Sequence, residues 1–115
     1  IKAKNKLTNN VNVVASKSHI DEITQKYLEK LKEKFELNIL NIGSSLKICM
    51  IAEGNADIYP RFAPTMEWDT CAADIILKES NGCILRHPTN KPLNYNKEDL
   101  RNPFFIAKAN NFKNI

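Results

Sequence analysis

Asn38-Ile39-Leu40-Asn41-Ile42-Gly43-Ser44-Ser45-Leu46-Lys47-Ile48-Cys49-Met50-Ile51-Ala52-Glu53-Gly54 is the stretch on which the fold turns. Asn38 to Ile42 is a short apolar run and reads as a strand. Gly43, Ser44 and Ser45 break it with one glycine and two small hydroxyl residues. Leu46 to Glu53 then reads as a helix that is apolar nearly all round, so it is expected to be largely buried. Gly54 stands where a left-handed residue stops a helix. A buried strand that turns through small residues into a buried helix is one unit of an α/β domain.

The same alternation extends in both directions. Upstream, Val11-Asn12-Val13-Val14-Ala15 is a β-branched run expected as a buried strand. Ser16-Lys17-Ser18-His19 interrupts it, with Ser18 a suitable N-cap and Asp21 and Glu22 suited to the positive end of a helix. In that helix Ile23, Tyr27, Leu28, Leu31 and Phe35 recur at spacings of three and four, and Lys26, Glu29, Lys30 and Glu33 fall opposite. The pattern predicts an amphipathic helix lying on a sheet. Downstream, Asn55 to Tyr59 reads as a strand, Pro60 and Pro64 bracket a loop, and Trp68-Asp69-Thr70 opens a third helix that Asn81-Gly82 stops. Short strands are expected at Cys83 to Leu85 and Phe104 to Ala107, around a turn-rich segment holding Pro88 and Pro92. The order β-α-β-α-β-α-β-β predicts α/β layers around one sheet.

The chain has 115 residues, enough for one domain. Its formal net charge is +4, with the basic residues dispersed except for Lys2, Lys4 and Lys6 in an N-terminal stretch expected to fray. No basic stripe with aromatic platforms is present, so a nucleic-acid polymer is not an expected partner. Cys49, Cys71 and Cys83 each sit in an apolar run and read as small buried residues, which suits a reducing, cytoplasmic location. No apolar stretch approaches the roughly 18–20 residues of a membrane span, and no signal peptide is visible. The start at Ile1 leads us to expect a fragment or a processed product.

Three constellations carry possible chemistry. Gly43-Ser44-Ser45-Leu46-Lys47 lies between a strand and a helix start, where free N–H groups, hydroxyls and a lysine suit an anion; read alone, it is equally an ordinary Ser N-cap. Ser16-Lys17-Ser18-His19 gathers polar groups at another strand end, and is likewise readable as a cap. Both are expected at the C-terminal ends of strands, the edge where open α/β sheets bind ligands. Asp69 of Trp68-Asp69-Thr70 suits a hard cation such as Mg²⁺, or merely caps its helix. One aspartate is not a metal site. Glu53 and Asp57 read as a helix-end residue and a strand residue facing solvent. His87 stands in a turn, and no pattern supports nucleophilic catalysis.

Taken in order, Ser16-Lys17-Ser18-His19, Gly43-Ser44-Ser45-Leu46-Lys47, Ala52-Glu53-Gly54, Tyr59-Pro60-Arg61-Phe62 and Trp68-Asp69-Thr70 resemble the C-terminal half of CysQ-type 3′(2′),5′-bisphosphate nucleotidases, of the inositol monophosphatase-like superfamily. The likeness runs from about Val11 to the end, through Lys91-Pro92-Leu93-Asn94-Tyr95 and Asn102-Pro103-Phe104. It implies a layered α/β/α sugar-phosphatase-like C-terminal domain with a mixed sheet over residues 11–115, after an N-terminal stub at 1–10.

The resemblance implies Mg²⁺-dependent hydrolysis of 3′-phosphoadenosine 5′-phosphate to AMP and phosphate. It makes Asp69 a metal ligand close to the substrate and places Ser16 and His19 along the nucleotide. Gly43 and Lys47 would hold its phosphate or ribose region, with Ser44 and Ser45 beside them and Arg61 as a further contact. No residue of this chain is thereby assigned a catalytic role. Members carry an acidic Asp-Pro-x-Asp-Gly-Thr motif in an N-terminal lobe; it is missing from this sequence, which is expected to be inactive alone. Lys17 stands where an arginine is expected, and Asp74 where a small or neutral residue is expected. The alternatives are an inositol or fructose-bisphosphate phosphatase of the same superfamily, with some members peripheral at the inner membrane, and a non-catalytic nucleotide-binding module.

Overall fold

A computed structural model of the chain describes residues 9–15, 22–41, 46–62, 65–87 and 89–109. The elements are β1 (Asn10–Ala15), α1 (Glu22–Lys32), β2 (Glu36–Asn41), α2 (Leu46–Ala52), β3 (Ile58–Arg61), β4 (Thr65–Met66), α3 (Glu67–Glu79), β5 (Gly82–Arg86), β6 (Arg101–Asn102) and β7 (Phe105–Ala109). Five strands form one sheet in the order β2-β1-β3-β7-β5, and β4 and β6 form a separate two-stranded ribbon. β1 runs parallel to β2 and β3, while β7 is antiparallel to β3 and β5. The sheet is mixed, as expected.

Side-chain alternation divides the core between two faces. Val14, Tyr59, Ile84, Phe105 and Ala107 pack with Ile48, Ile51 and Ala52 of α2 and Leu77 of α3. Val11, Val13, Ile58 and Ile106 pack on the other face with Leu28 and Leu31 of α1. The result is the expected α/β/α layering, with α2 and α3 on one side and α1 on the other.

α2 ends as its sequence dictates. Gly54 has φ 83°, its N–H bonds the Ile51 carbonyl at 3.0 Å, and the Asn55 N–H bonds the Met50 carbonyl at 2.9 Å. This Schellman pair satisfies the last-turn carbonyls. It also corrects the reading of Asn55 to Tyr59 as a strand. The amides of Asn55 and Ala56 both point back to Met50, so β3 starts only at Ile58. Pro60 lies inside β3 rather than in a loop. It pairs with Ile106 of β7, whereas β1 meets β3 only at Val13 and Ile58, so no ladder bond to β1 is required of its missing N–H.

Three burial expectations are overturned. Asp57 does not face solvent: it is 2% exposed, and its Oδ2 accepts the Asn12 N–H at 2.7 Å. Ile23 is half exposed, and Thr24 is the buried residue of that turn of α1. Cys71 is exposed on α3, while Cys49 and Cys83 are half-buried. None of the helices among the described residues is long and apolar enough to cross a membrane.

Candidate functional site

The three parallel strands bring their C-terminal ends to one edge of the sheet. Ala15 and Asn41 are register partners there, and β3 ends at Arg61 on the same side. Ser16 follows directly on β1, and Gly43, Ser44 and Ser45 lie between β2 and α2. These four and His19 lie outside the described residues. Lys47, Arg61 and Asp69 are described, and the structure assembles them around Tyr59.

Lys47 stands in the first turn of α2 yet is only 6% exposed, with its Nζ 5.3 Å from the centre of the Tyr59 ring. Burial lowers its pKa, and the positive charge of Arg61 lowers it further. The Tyr59 ring face offsets part of that cost through its quadrupole. Tyr59 sits two residues before Arg61, so strand alternation puts both on one face. Burial raises the Tyr59 pKa, the Arg61 guanidinium pulls it partly back, and the Asp69 carboxylate pushes it up again. The hydroxyl therefore senses both charges. Arg61 is half-buried, and its Nε is buried without an acceptor among the described residues. Two cations that repel each other, one with an unanswered donor, form a local demand for an anion.

Asp69 is exposed in the first turn of α3, and its Oδ2 accepts the Met66 N–H at 2.9 Å. It does cap its helix, then, but with one oxygen; Oδ1 has no partner among the described residues. A short strap fixes that helix end. The Glu67 carboxylate, 7% exposed, accepts the backbone N–H groups of Asn96 (2.6 Å) and Lys97 (3.3 Å) and pairs with the Lys97 ammonium. The Glu67 N–H bonds the Leu100 carbonyl at 2.8 Å. Asn102 Nδ2 reaches the Met66 carbonyl at 2.9 Å and Thr70 Oγ1 at 3.0 Å, and the Tyr95 hydroxyl donates to Asp74 Oδ2 at 2.6 Å. Asp74, unexpected in its place, is the buried anchor of this strap.

The sequence reading missed Tyr59 as the centre of the site and Glu67 as the pin of α3. Tyr59 stood inside a quoted motif, but its role depends on register with α2. His87 does not join the site. It packs against Phe62 at 4.7 Å and Tyr27 at 5.9 Å on the α1 side. Among the described residues no group of three or more His, Cys, Asp or Glu side chains could hold a metal ion.

The family model of the inositol monophosphatase family matches residues 1–111. The chain belongs to the inositol monophosphatase family. It is 43% identical over 94 residues to the 3′(2′),5′-bisphosphate nucleotidase CysQ of Escherichia coli, covering 81% of this chain and 37% of that protein. A solved CysQ from Bacteroides thetaiotaomicron, a bacterial member of the family, superposes with a TM-score of 0.84 at 45% identity, over 91% of this chain and 39% of that one. The inositol monophosphate-bound SaIMPase-II shares the fold alone, at a TM-score of 0.75 and 17% identity, over 98% of this chain and 43% of that one. The chain spans less than half the length of each of these three proteins. Within the family it is CysQ-like.

Proposed function

We propose that this chain is the C-terminal part, residues 11–115 behind a stub at 1–10, of a Mg²⁺-dependent phosphatase that hydrolyses 3′-phosphoadenosine 5′-phosphate to AMP and phosphate. The supporting observation is the pair Lys47 and Arg61, gathered at Tyr59 with Asp69 in electrostatic reach, in a chain 43% identical to a bisphosphate nucleotidase. A phosphate group relieves the repulsion of the two cations and gives the buried Arg61 Nε its acceptor. Ser16, His19, Gly43, Ser44 and Ser45 complete the nucleotide side of the pocket in this reading. The 43% identity to a protein named for bisphosphate nucleotides favours the nucleotide over an inositol phosphate.

The residues present fit Mg²⁺ only in part. Mg²⁺ takes one or two carboxylates, several waters and substrate oxygens, and Asp69 supplies one carboxylate oxygen. The remaining acidic groups belong to a lobe outside this chain. When bound, the ion would supply charge stabilisation and an activated water; this chain's own residues bind and orient. Lys47 and Arg61 would hold phosphate oxygens, Tyr59 shields Lys47 from water, and Asp69 would be a ligand of the cation.

The isolated chain is accordingly expected to release no phosphate with Mg²⁺ but to retain weak nucleotide binding. Calorimetric titration with 3′-phosphoadenosine 5′-phosphate tests this. Lys47→Glu should abolish the binding, and Asp69→Asn should matter less without metal. Mg²⁺-dependent turnover by the chain alone that vanishes in Asp69→Asn would overturn the reading.

A further inference from the structure

Among the described residues α1 is the only helix on its face of the sheet, and a cavity of about 500 Å³ lies at its side. That volume is in the range of small-molecule pockets. Its wall is aromatic. The Tyr27 ring meets Phe62 edge-on with centroids 5.4 Å apart and His87 at 5.9 Å, while Phe62 and His87 stand 4.7 Å apart. Phe62 is 3% exposed, and Ile23, 49% exposed, forms an apolar lip. Positions 23, 27 and 30 are spaced by four and three, so one side of α1 presents Ile23, Tyr27 and Lys30 together. Phe62 directly follows Arg61 but packs in the α1 cluster, whereas Tyr59 packs in the cluster of α2. The cavity therefore lies across the sheet from the Lys47–Tyr59–Arg61 site.

The polar groups decide what fits. The Tyr27 Oη is buried with no hydrogen-bond partner among the described residues, a costly arrangement for a hydroxyl sealed from water. Burial pushes its pKa up to about 12, so it keeps its proton and serves as a donor. The ring lines the cavity, and a small turn of the side chain brings its O–H to an acceptor placed there. Burial holds the His87 pKa below its ordinary value, and the nearby charge of Lys30 lowers it further, so the imidazole wall is neutral at pH 7. Lys30 has no ion-pair partner among the described residues, while Lys26 lies 3.8 Å from Glu22. Exposed Glu29 and Glu33 also line the mouth. They oppose a dianionic phosphate; a single carboxylate carried inward, between Tyr27 and Lys30, meets them least.

We propose that the cavity beside α1 is a binding site for a small aromatic monocarboxylate, with its ring packed on Phe62, His87 and Ile23 and its carboxylate accepting from Tyr27 Oη and Lys30 Nζ. Ring edges and faces in the wall suit an offset or edge-on aromatic guest. The carboxylate gives the Tyr27 hydroxyl the acceptor it lacks and gives Lys30 a counter-charge. The site is independent of the phosphatase reading and shares no residue with it.

The test is titration of the 115-residue chain with 3-phenylpropanoate, read by calorimetry and by intermolecular NOEs in NMR. A Kd of about 1 mM or tighter, the level of an efficient small ligand, is expected, with NOEs from the probe's ring protons to Ile23 and Phe62. Tyr27→Phe keeps the ring and removes the donor, and should weaken binding about tenfold. It deletes a hydroxyl that has no partner, so circular dichroism and thermal unfolding of the variant should match the parent. Lys30→Gln, at an exposed position, should weaken binding about threefold. Phenethylamine and phenyl phosphate should each bind at least tenfold more weakly than the carboxylate. Saturating 3′-phosphoadenosine 5′-phosphate should leave the probe in place. No binding, NOEs to other parts of the chain, or affinity unchanged in Tyr27→Phe would each overturn the proposal. So would preference for the amine or the phosphate, or displacement of the probe by the nucleotide.

Discussion

Gly82 and Leu77 offer a sharp test of how α3 is seated. Leu77 is fully buried in the core under α2 and α3. A Cβ added at Gly82 would stand 2.7 Å from Leu77 Cγ and 3.1 Å from the Lys108 backbone oxygen. Gly82 is therefore small because α3 lies directly on the start of β5. Leu77→Ala removes three buried carbons and should cost about 3 kcal/mol, within the usual range for such cavities. Gly82→Ala forces Leu77 out of its rotamer, an overpacking cost of about 1–3 kcal/mol, reduced by about 0.4–1 kcal/mol through the stiffer unfolded chain. In the double variant the new methyl enters the space that Leu77 has left, and only the Lys108 oxygen must give by a few tenths of an ångström. Gly82→Ala should then cost nothing or stabilise slightly, so the pair couples by about 1–2 kcal/mol in the favourable direction. Urea unfolding of the four proteins measures this, provided all share one m-value. Additivity within about 0.5 kcal/mol would refute the close approach of α3 to β5 and, with it, the placement of Asp69 at the end of a rigidly seated helix.

Other outcomes follow from the polar contacts. Tyr95→Phe removes the donor to buried Asp74 Oδ2, whose Oδ1 already lacks a hydrogen bond, and should destabilise the chain by about 1.5–3 kcal/mol in denaturant; no change would mean the strap is not anchored there. The Glu67 pKa is lowered, chiefly by Lys97, so its contribution to stability is complete above the ordinary value of 4.5 and is lost as pH falls through the lowered folded value. Glu67→Gln should therefore flatten the acid limb of the stability–pH curve, and an unchanged limb would exclude the latch. Lys47 loses its proton below the ordinary 10.5, so nucleotide affinity should fall on the alkaline side earlier than for an ordinary lysine, and Lys47→Arg should remove that dependence. A titration series across alkaline pH checks it.

The alternation of strands and helices was legible because each element keeps its own period. β1, α2 and the stop at Gly54 stand close to where the sequence placed them. The errors arose where a distant residue decides. Asp57 looks like a solvent-facing strand residue until Asn12, forty-five positions earlier, donates its N–H to it. β4 and β6 have two residues each, too short for any period, and exist because Asn102 bonds across to Thr65 and Met66. Lys47, Arg61 and Asp69 were legible as chemistry-bearing residues of motifs. Their gathering around Tyr59 was not, since it depends on how α2 lies over β3. Cys71 misled because an apolar neighbourhood in sequence signals burial only when something covers the helix.

α3 ties these observations together. Its inner side is fixed by Leu77 and Asp74, its first turn is pinned through Glu67 by the strap at 94–102, and Asp69 projects from that turn with one oxygen committed to Met66. A carboxylate held this way has little freedom left, so a cation meeting its Oδ1 loses little further entropy in ordering it. Among the described residues the charges at the edge are nonetheless unbalanced, two cations to one carboxylate. That ratio suits the capture of a phosphate and opposes a resident divalent cation, which needs several negative ligands before it displaces Lys47 and Arg61 electrostatically.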